Sequence, residues 1–194
     1  MATWHYKVIK KIVHKLQSFF IINTNIFCFS ILFKLWQYNY CMKLKVLNWV
    51  AVILPIVVVA VLGSVFVNLG MEWFNALTKP SQWVPNIVIP IVWTIIYLTF
   101  AVILILWQSK QKISLKTIVL LSVNGVLNIL WCLVFFTLNL TLVGNIVIIL
   151  NLIAGFWLWL DILKQKPIYG YVLTIYPIWL SIATTLNLAL WVLN

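Results

Sequence analysis

Long uncharged apolar runs divide the chain into segments that could each cross a bilayer. A helix needs about 20 predominantly apolar residues to span the hydrocarbon core. The runs predict five transmembrane helices, over residues 46–67, 87–107, 117–138, 141–162 and 171–193. The third and fourth come from one continuous uncharged stretch, and the polar residues 139–141 inside it predict a hairpin. The fold class that follows is an all-α integral membrane protein, a bundle of five transmembrane helices.

The composition favours the same class. Hydrophobic residues make up 65% of the chain and charged residues 8%, whereas soluble domains are roughly half apolar and a quarter charged. A net charge of +11 can indicate a protein that binds nucleic acid. The lysines, however, lie in short clusters between the apolar runs, which is typical of membrane loops. We therefore expect a lipid bilayer around the protein and no nucleic-acid partner.

Residues suited to conventional catalysis are scarce. The chain has no arginine, its acids are Glu72 and Asp161, and its histidines are His5 and His14. These side chains cannot supply paired carboxylates, a Ser-His-Asp triad or a histidine-rich metal site. The cysteines fit no zinc spacing; they are Cys28, Cys41 and Cys132. We predict no metal and no cofactor, a packing role for Cys132, and an ion pair of Asp161 with Lys164 or Lys166.

The lysines also predict an orientation. Counted from Met42, all but Lys79 fall on one side of the predicted membrane; they are Lys43, Lys45, Lys110, Lys112, Lys116, Lys164 and Lys166. Positive charge favours the cytoplasmic side, so the N-terminus is expected inside and the C-terminus outside. Basic residues that are all lysine, with many isoleucines and asparagines, favour a bacterial inner membrane, and a mitochondrial outer membrane stays open as the alternative.

The first 41 residues form a separate segment. Their apolar run, residues 19–33, is short for a span and is interrupted by residues 23–25, Asn-Thr-Asn. We interpret residues 1–41 as an interfacial or disordered extension, followed by a transmembrane domain over residues 42–194. The alternative is that they lie upstream of the native product, since Met42 followed by Lys43 and Lys45 is typical of a start.

The loop over residues 68–86 is longer than the others and rich in aromatic side chains. Long loops in compact proteins are usually functional or disordered, and the aromatic content favours an ordered loop. The stretch that follows carries a series of motifs. They are WF at 73–74, Leu77, Lys79-Pro80, WVP at 83–85, VWTIIY at 92–97, LNILW at 127–131, and FF at 135–136, with Trp179, Ala183 and LN at 186–187 in the last span.

In order and spacing, these motifs resemble the TspO/MBR family, the tryptophan-rich sensory proteins and translocator proteins. The resemblance covers about residues 46–194. Gln82 stands where the family usually has an aromatic residue, and Val84 replaces the first proline of its usual pair. No tyrosine or basic residue follows Tyr176, so the cholesterol motif of mammalian members, itself a weak pattern, is absent.

The resemblance implies a binding site for porphyrins or other flat hydrophobic molecules among the five helices. It implies ligand-binding roles for Trp93, Tyr97, Asn128, Trp131, Trp179, Ala183 and Leu186. The loop would close the site as a lid through Trp73, Phe74, Lys79, Pro80 and Trp83. Helical spacing agrees with this, because residues four apart share a face, as Trp93 and Tyr97 do. Ordinary helix packing is the alternative explanation of the same pattern.

Three functions are compatible with such a site. The first is a porphyrin-binding sensor or stress-related handler. The second is light- and oxygen-dependent breakdown of bound porphyrin near Trp93 and Trp179, which some family members perform. The third is passive transport of tetrapyrroles or lipids, since the sequence offers no coupling-ion or ATP motif. A homodimer is also expected from the family, and Gly144 and Gly155 are candidates for close helix packing.

Overall fold

The computed structural model describes Lys34 and residues 47–81 and 84–194. The helices there are α1 (Leu47–Leu69), α2 (Met71–Ala76), α3 (Val88–Lys110), α4 (Leu115–Cys132), α5 (Thr141–Gln165), α6 (Pro167–Val172) and α7 (Ile175–Leu193). A π-helical turn, Leu133–Thr137, extends α4. Within the described residues five helical segments are long and apolar enough to cross a membrane, which confirms the predicted fold class. The predicted extension, residues 1–41, lies outside the described residues apart from Lys34.

The connections between spans follow from local sequence. Asn139 adopts a left-handed backbone conformation with φ of 57°, which asparagine tolerates better than most residues, and the chain reverses there as predicted. Ser114 caps the N-terminus of α4, because its hydroxyl accepts a hydrogen bond of 3.2 Å from the backbone N–H of Thr117. Helix α3 continues to Lys110, beyond its predicted end at residue 107, because polar side chains are tolerated in the last turn as the helix leaves the apolar layer.

Successive spans run in alternating directions, so the bundle has two ends. One end holds the start of α1 and the α3–α4 and α5–α6 connections, and we call it the lysine end. Its lysines are Lys110, Lys112, Lys116, Lys164 and Lys166. The opposite end, which we call the loop end, holds the segment from α1 to α3, the α4–α5 hairpin and the end of α7. At the loop end, Asn194 Oδ1 accepts a hydrogen bond of 2.9 Å from the backbone N–H of Thr78.

Helix α5 is the most enclosed part of the bundle, together with the last span. In the most apolar 18-residue stretch of α5, 44% of the residues are buried, whereas 6% are buried in the corresponding stretch of α1. Helix α5 packs on α4 and α7, and buried amides bond across these contacts, Asn124 with Asn151 and Asn187 with Asn145. Polar groups buried in a bilayer need partners within the protein, so these side chains join the helices.

Gly144 and Gly155 of α5 are both buried inside the bundle. A Cβ atom added at Gly144 would lie 2.9 Å from Phe135, and one added at Gly155 would lie 2.9 Å from Leu180 Cδ2. The glycines therefore allow close packing within one chain. Neighbouring helices of the same chain occupy the faces of both glycines, so the close packing that they permit lies inside the bundle.

The ion pair of Asp161 also differs from the prediction. Its carboxylate lies 2.9 Å from Lys116 Nζ, and it accepts hydrogen bonds of 2.7 Å from Thr117 Oγ1 and Gln165 Nε2. Lys164 and Lys166 were expected because they are close in sequence. Helix α4 approaches α5 at the lysine end, however, and this places the buried carboxylate beside a residue 45 positions away.

The long loop is ordered over its described part, as the aromatic content indicated. Residues 71–76 form helix α2, and Phe74 is buried. The turn into α2 passes very close to α4, because a Cβ atom added at Gly70 would lie 1.8 Å from the carbonyl oxygen of Phe136. Only glycine fits there without a shift of the backbone. Trp83, one of the predicted lid residues, lies outside the described residues.

Candidate ligand-binding site

Aromatic side chains of α2 and of the end of α4 form a group that we call the aromatic cluster. Its members are Trp73, Phe74, Trp131, Phe135 and Phe136. Trp73 meets Phe135 edge-on with ring centroids 5.6 Å apart, and Phe74 lies 5.1 Å from Phe136. Edge-to-face and offset contacts of this kind stabilise packed aromatic groups. The loop end of the bundle is therefore filled by its own side chains.

An open cavity of about 470 Å³ lies nearer the lysine end. Helices α1, α3 and α4 form most of its wall, and Tyr176 of α7 completes it. The lining residues of α3 include Trp93, Ile96, Tyr97, Phe100, Leu104 and Gln108. Ligand sites typically have volumes of about 300–1,000 Å³ and apolar walls with a few polar groups. This cavity fits that description.

Trp93 and Tyr97 form an aromatic wall of the cavity. Their rings are stacked with centroids 5.7 Å apart and an interplanar angle of 27°. The Tyr97 hydroxyl donates a hydrogen bond of 3.3 Å to Asn128 Oδ1, and Asn128 also lines the cavity. No lining residue carries a formal charge. The wall thus presents flat apolar surface with a polar pair at its edge, which suits a planar, mostly apolar ligand.

A hydrogen-bond chain supports the cavity from behind. The Tyr176 hydroxyl donates a hydrogen bond of 2.7 Å to Asn124 Oδ1, and Asn124 Nδ2 donates one of 2.7 Å to Asn151 Oδ1. Tyr176 and Asn124 line the cavity, whereas Asn151 is fully buried in α5. These bonds fix the positions of two lining side chains and tie α4, α5 and α7 together at that level.

The predicted ligand-binding residues occupy three places. Trp93, Tyr97 and Asn128 line the cavity. Trp131 belongs to the aromatic cluster, and Ala183 packs with it. Trp131 Nε1 also donates a hydrogen bond of 3.3 Å to Asn187 Oδ1.

Two predicted residues of α7 lie away from the cavity wall. Trp179 is buried in a second apolar group with Ile96 and Phe100, and its Nε1 has no hydrogen-bond partner. Leu186 is half-buried on the same helix. Trp93 connects the regions, since it packs against both apolar groups and its ring lies 6.4 Å from that of Trp131.

The lid residues that the structure describes lie at the loop end, at the aromatic cluster. Trp73 and Phe74 are part of the cluster itself. Lys79 Nζ lies 5.1 Å from the centroid of the Phe74 ring, a cation–π distance, and Pro80 next to it is half-buried. The described lid residues therefore cover the aromatic cluster and not the cavity directly.

Apart from the α4 residues on either side of Asn128, two parts of the cavity wall were not predicted. One is the lysine-end half of α3, with Phe100 and Gln108; the spacing of Trp93, Tyr97, Phe100 and Leu104 along one helical face is a signal that could have identified it. The other is α1, whose residues from Asn48 to Val59 supply one wall. Apolar residues without a motif give no signal of that kind. Among the described residues, no three His, Cys, Asp or Glu side chains come together as a potential metal site.

Comparison with known proteins places this arrangement in context. The model of the TspO/MBR family matches residues 51–192. Protein CrtK of Rhodobacter capsulatus is 25% identical over 132 residues, which cover 63% of this chain and 78% of that protein. Tryptophan-rich protein TspO of Archaeoglobus fulgidus is 28% identical over 158 residues, which cover 78% of this chain and 99% of that protein. The matched region includes every described residue of the cavity except Asn48.

Proposed function

The chain belongs to the TspO/MBR family, and from this premise we propose that it is a membrane-embedded receptor for porphyrins or similar flat hydrophobic tetrapyrroles. Its physiological role would be that of a sensor or a stress-related handler of such compounds. The observation that carries the proposal is the cavity of about 470 Å³ with Trp93 and Tyr97 stacked along one wall. A tetrapyrrole ring placed against this wall would exchange lipid contact for aromatic contact on a flat face.

The polar groups around the wall would orient the ring. Asn128 and the Tyr97 hydroxyl already bond each other, and both can turn toward a ligand, since an amide and a phenol each donate and accept. Trp131, Trp179, Ala183 and Leu186 would act from behind the wall, through packing. The residues predicted as a lid would act indirectly, by closing the loop end over the aromatic cluster, whose Trp131 ring lies 6.4 Å from that of Trp93; they are Trp73, Phe74, Lys79, Pro80 and Trp83.

Binding of protoporphyrin to the full chain in detergent or vesicles tests the proposal. We expect Trp93→Leu to weaken binding about tenfold, because loss of an aromatic contact costs about 0.5–1.5 kcal/mol beyond buried area. Trp157→Leu is the matched control, since Trp157 is 65% exposed on α5 and lies outside the cavity. Equal affinity in the wild type and in both variants would remove the cavity as the site.

A second candidate is light- and oxygen-dependent breakdown of the bound porphyrin. The observation that favours it is the series of neighbouring rings from Tyr97 through Trp93 to Trp131, at 5.7 and 6.4 Å. Such rings can supply electrons to a photoexcited ligand beside Trp93. Illumination of the aerobic complex should then yield a new tetrapyrrole absorption spectrum, more slowly in Trp93→Phe. A porphyrin spectrum that bleaches no faster than without protein would exclude this activity.

Orientation, membrane and assembly are further parts of the proposal. Of the lysines between residues 47 and 194, five lie at the lysine end and Lys79 lies at the loop end, and positive residues favour the cytoplasm. We therefore place the lysine end inside and the C-terminus outside a bacterial inner membrane, with a homodimer through a lipid-facing surface. Labelling of a cysteine introduced at Lys79 by an impermeant reagent in intact cells tests the orientation, and chemical crosslinking in vesicles tests the dimer.

A further inference from the structure

The cavity reaches the outer surface of the bundle between α1 and α4. Among its lining side chains, Val58, Ile118 and Val126 are exposed by 42%, 46% and 62%. Ser122, also exposed, lies between the last two on α4. Ile118, Ser122 and Val126 are each four residues apart and so form one stripe along the helix. We call the opening that these four residues border the lateral mouth.

Contacts between α1 and α4 lie at Gly125 and from there toward the loop end. Gly125 of α4 packs against Val59, because a Cβ atom added at Gly125 would lie 3.0 Å from Val59 Cγ2. Gly63 of α1 packs against Cys132, since a Cβ atom added at Gly63 would lie 3.5 Å from Cys132 Sγ. The Thr137 hydroxyl donates a hydrogen bond of 2.9 Å to the carbonyl oxygen of Phe66. Nearer the lysine end, α1 residues such as Val52 and Ile56 face the cavity instead. The lateral mouth therefore extends from the level of Gly125 toward the lysine end, where α1 and α4 are separated by the cavity.

Both sides of the lateral mouth are transmembrane segments, so its surroundings are lipid hydrocarbon. Val58, Ile118 and Val126 offer no hydrogen bond to water, the Ser122 hydroxyl already donates to the carbonyl oxygen of Ile118, and no charged side chain lines the cavity. Water is stable in a cavity only where several polar groups bond it, whereas a hydrocarbon chain leaves one apolar environment for another. The side chains at the inner end of this path include Phe100 and Leu104, which are only 8% and 4% exposed.

We propose that an acyl chain of a membrane phospholipid enters the cavity through the lateral mouth and lies against Phe100 and Leu104. The occupant follows from the chemistry of the path, because most of the side chains between the bilayer and Phe100 are apolar and none is charged. This inference goes beyond the proposed function, because the chain occupies the cavity whether or not a porphyrin binds there. A porphyrin that binds in the cavity displaces it.

A phosphatidylcholine that carries a photoreactive diazirine in its acyl chain tests the proposal with the full chain in phosphatidylcholine vesicles. After illumination, mass spectrometry of peptides locates the residues to which the chain has become attached. We expect adducts on Phe100 or Leu104 as well as on outward-facing residues. Adducts confined to outward-facing residues would overturn the proposal, because buried α3 residues would then be out of reach of lipid.

A matched pair of variants tests the lateral mouth itself. Ser122→Trp places a large ring in the mouth, whereas Val123→Trp places the same ring one residue further along, at a position that is 45% exposed and does not line the cavity. We expect the yield of Phe100 and Leu104 adducts to fall at least tenfold in Ser122→Trp and to stay unchanged in Val123→Trp. Equal yields in the two variants would exclude entry between α1 and α4.

Added protoporphyrin separates this inference from the proposed function. If the porphyrin binds in the cavity, adducts on Phe100 and Leu104 decrease as its concentration rises, while outward-facing adducts persist. Adducts on Phe100 and Leu104 that persist at saturating porphyrin support the acyl chain in the cavity and contradict the porphyrin site there.

Discussion

The α4–α5–α7 side of the bundle and the α1 side are held together by different interactions. On the first side, buried polar groups bond across helices, as Tyr176 does with Asn124 and Asn124 with Asn151. On the second, α1 meets α4 through glycine contacts and one hydrogen bond toward the loop end, and a cavity separates them toward the lysine end. Hydrogen bonds in a bilayer fix one arrangement, whereas apolar contacts there compete with equally apolar lipid. The difference is the reason that our proposals place ligand entry on the α1 side.

The largest expected effect comes from the point where the α1–α2 turn passes against α4. In Gly70→Ala the new Cβ would overlap the carbonyl oxygen of Phe136, 1.8 Å away. Overpacking of this kind costs about 1–3 kcal/mol, and we expect the upper end because the obstacle is backbone. SDS-driven unfolding in mixed micelles measures it. Gly63→Ala is the control, since its Cβ would meet Cys132 Sγ at an ordinary 3.5 Å. Equal stability of the two variants would contradict the close approach at Gly70.

The next effect concerns the hydrogen-bonded side. Asn124→Leu removes the acceptor of the Tyr176 hydroxyl and the donor to Asn151, which leaves two buried polar groups unpaired. We expect a loss of about 1–2 kcal/mol, with the same unfolding measurement. Ser122→Ala on the same helix should have little effect, because its hydroxyl is exposed and bonds only the carbonyl oxygen of Ile118. If Ser122→Ala were as destabilising as Asn124→Leu, the buried hydrogen bonds of Asn124 would not be what holds α4, α5 and α7 together.

A smaller effect is expected at the lysine end. Asp161→Asn removes the ion pair with Lys116, whose side chain is 73% exposed, so solvent screens much of the attraction and we expect a loss of about 0.5–1 kcal/mol. A double-mutant cycle identifies the partner. Asp161→Asn and Lys116→Gln should be non-additive, whereas Asp161→Asn and Lys164→Gln should be additive. Coupling to Lys164 would restore the pairing expected from the sequence.

The smallest effect is expected on the α1 side. Val58→Ala truncates a side chain that borders the cavity and is 42% exposed, so few packed contacts are lost and stability should change by less than about 0.5 kcal/mol. Val147→Ala is the counterpart on α5, where Val147 is 6% exposed; it should cost about 1–2 kcal/mol, because it leaves a void. A Val58→Ala loss equal to that of Val147→Ala would show that α1 is as tightly packed as α5.

Much of the fold could be predicted, but less of the site. Five spans and the turn at Asn139 follow from hydropathy and local backbone preference. Trp93, Tyr97 and Asn128 line the cavity. They could be predicted because helical spacing and the family motif both indicate them. The roles of Val58, Ser122 and Val126 could not be predicted, because an apolar or small residue in a span has the same pattern whether it faces lipid, a neighbouring helix or a cavity.

By itself the sequence determined the membrane environment, the five spans of the described residues, the family and an aromatic face on α3. These depend on composition and on residues near each other along the chain. The tertiary structure alone decided that Asp161 pairs with Lys116, that the loop-end aromatic residues pack on one another, and that the open space lies between α1, α3 and α4. Each of these depends on how closely two helices distant in sequence approach. That distance is set by the glycines and buried amides at their contacts.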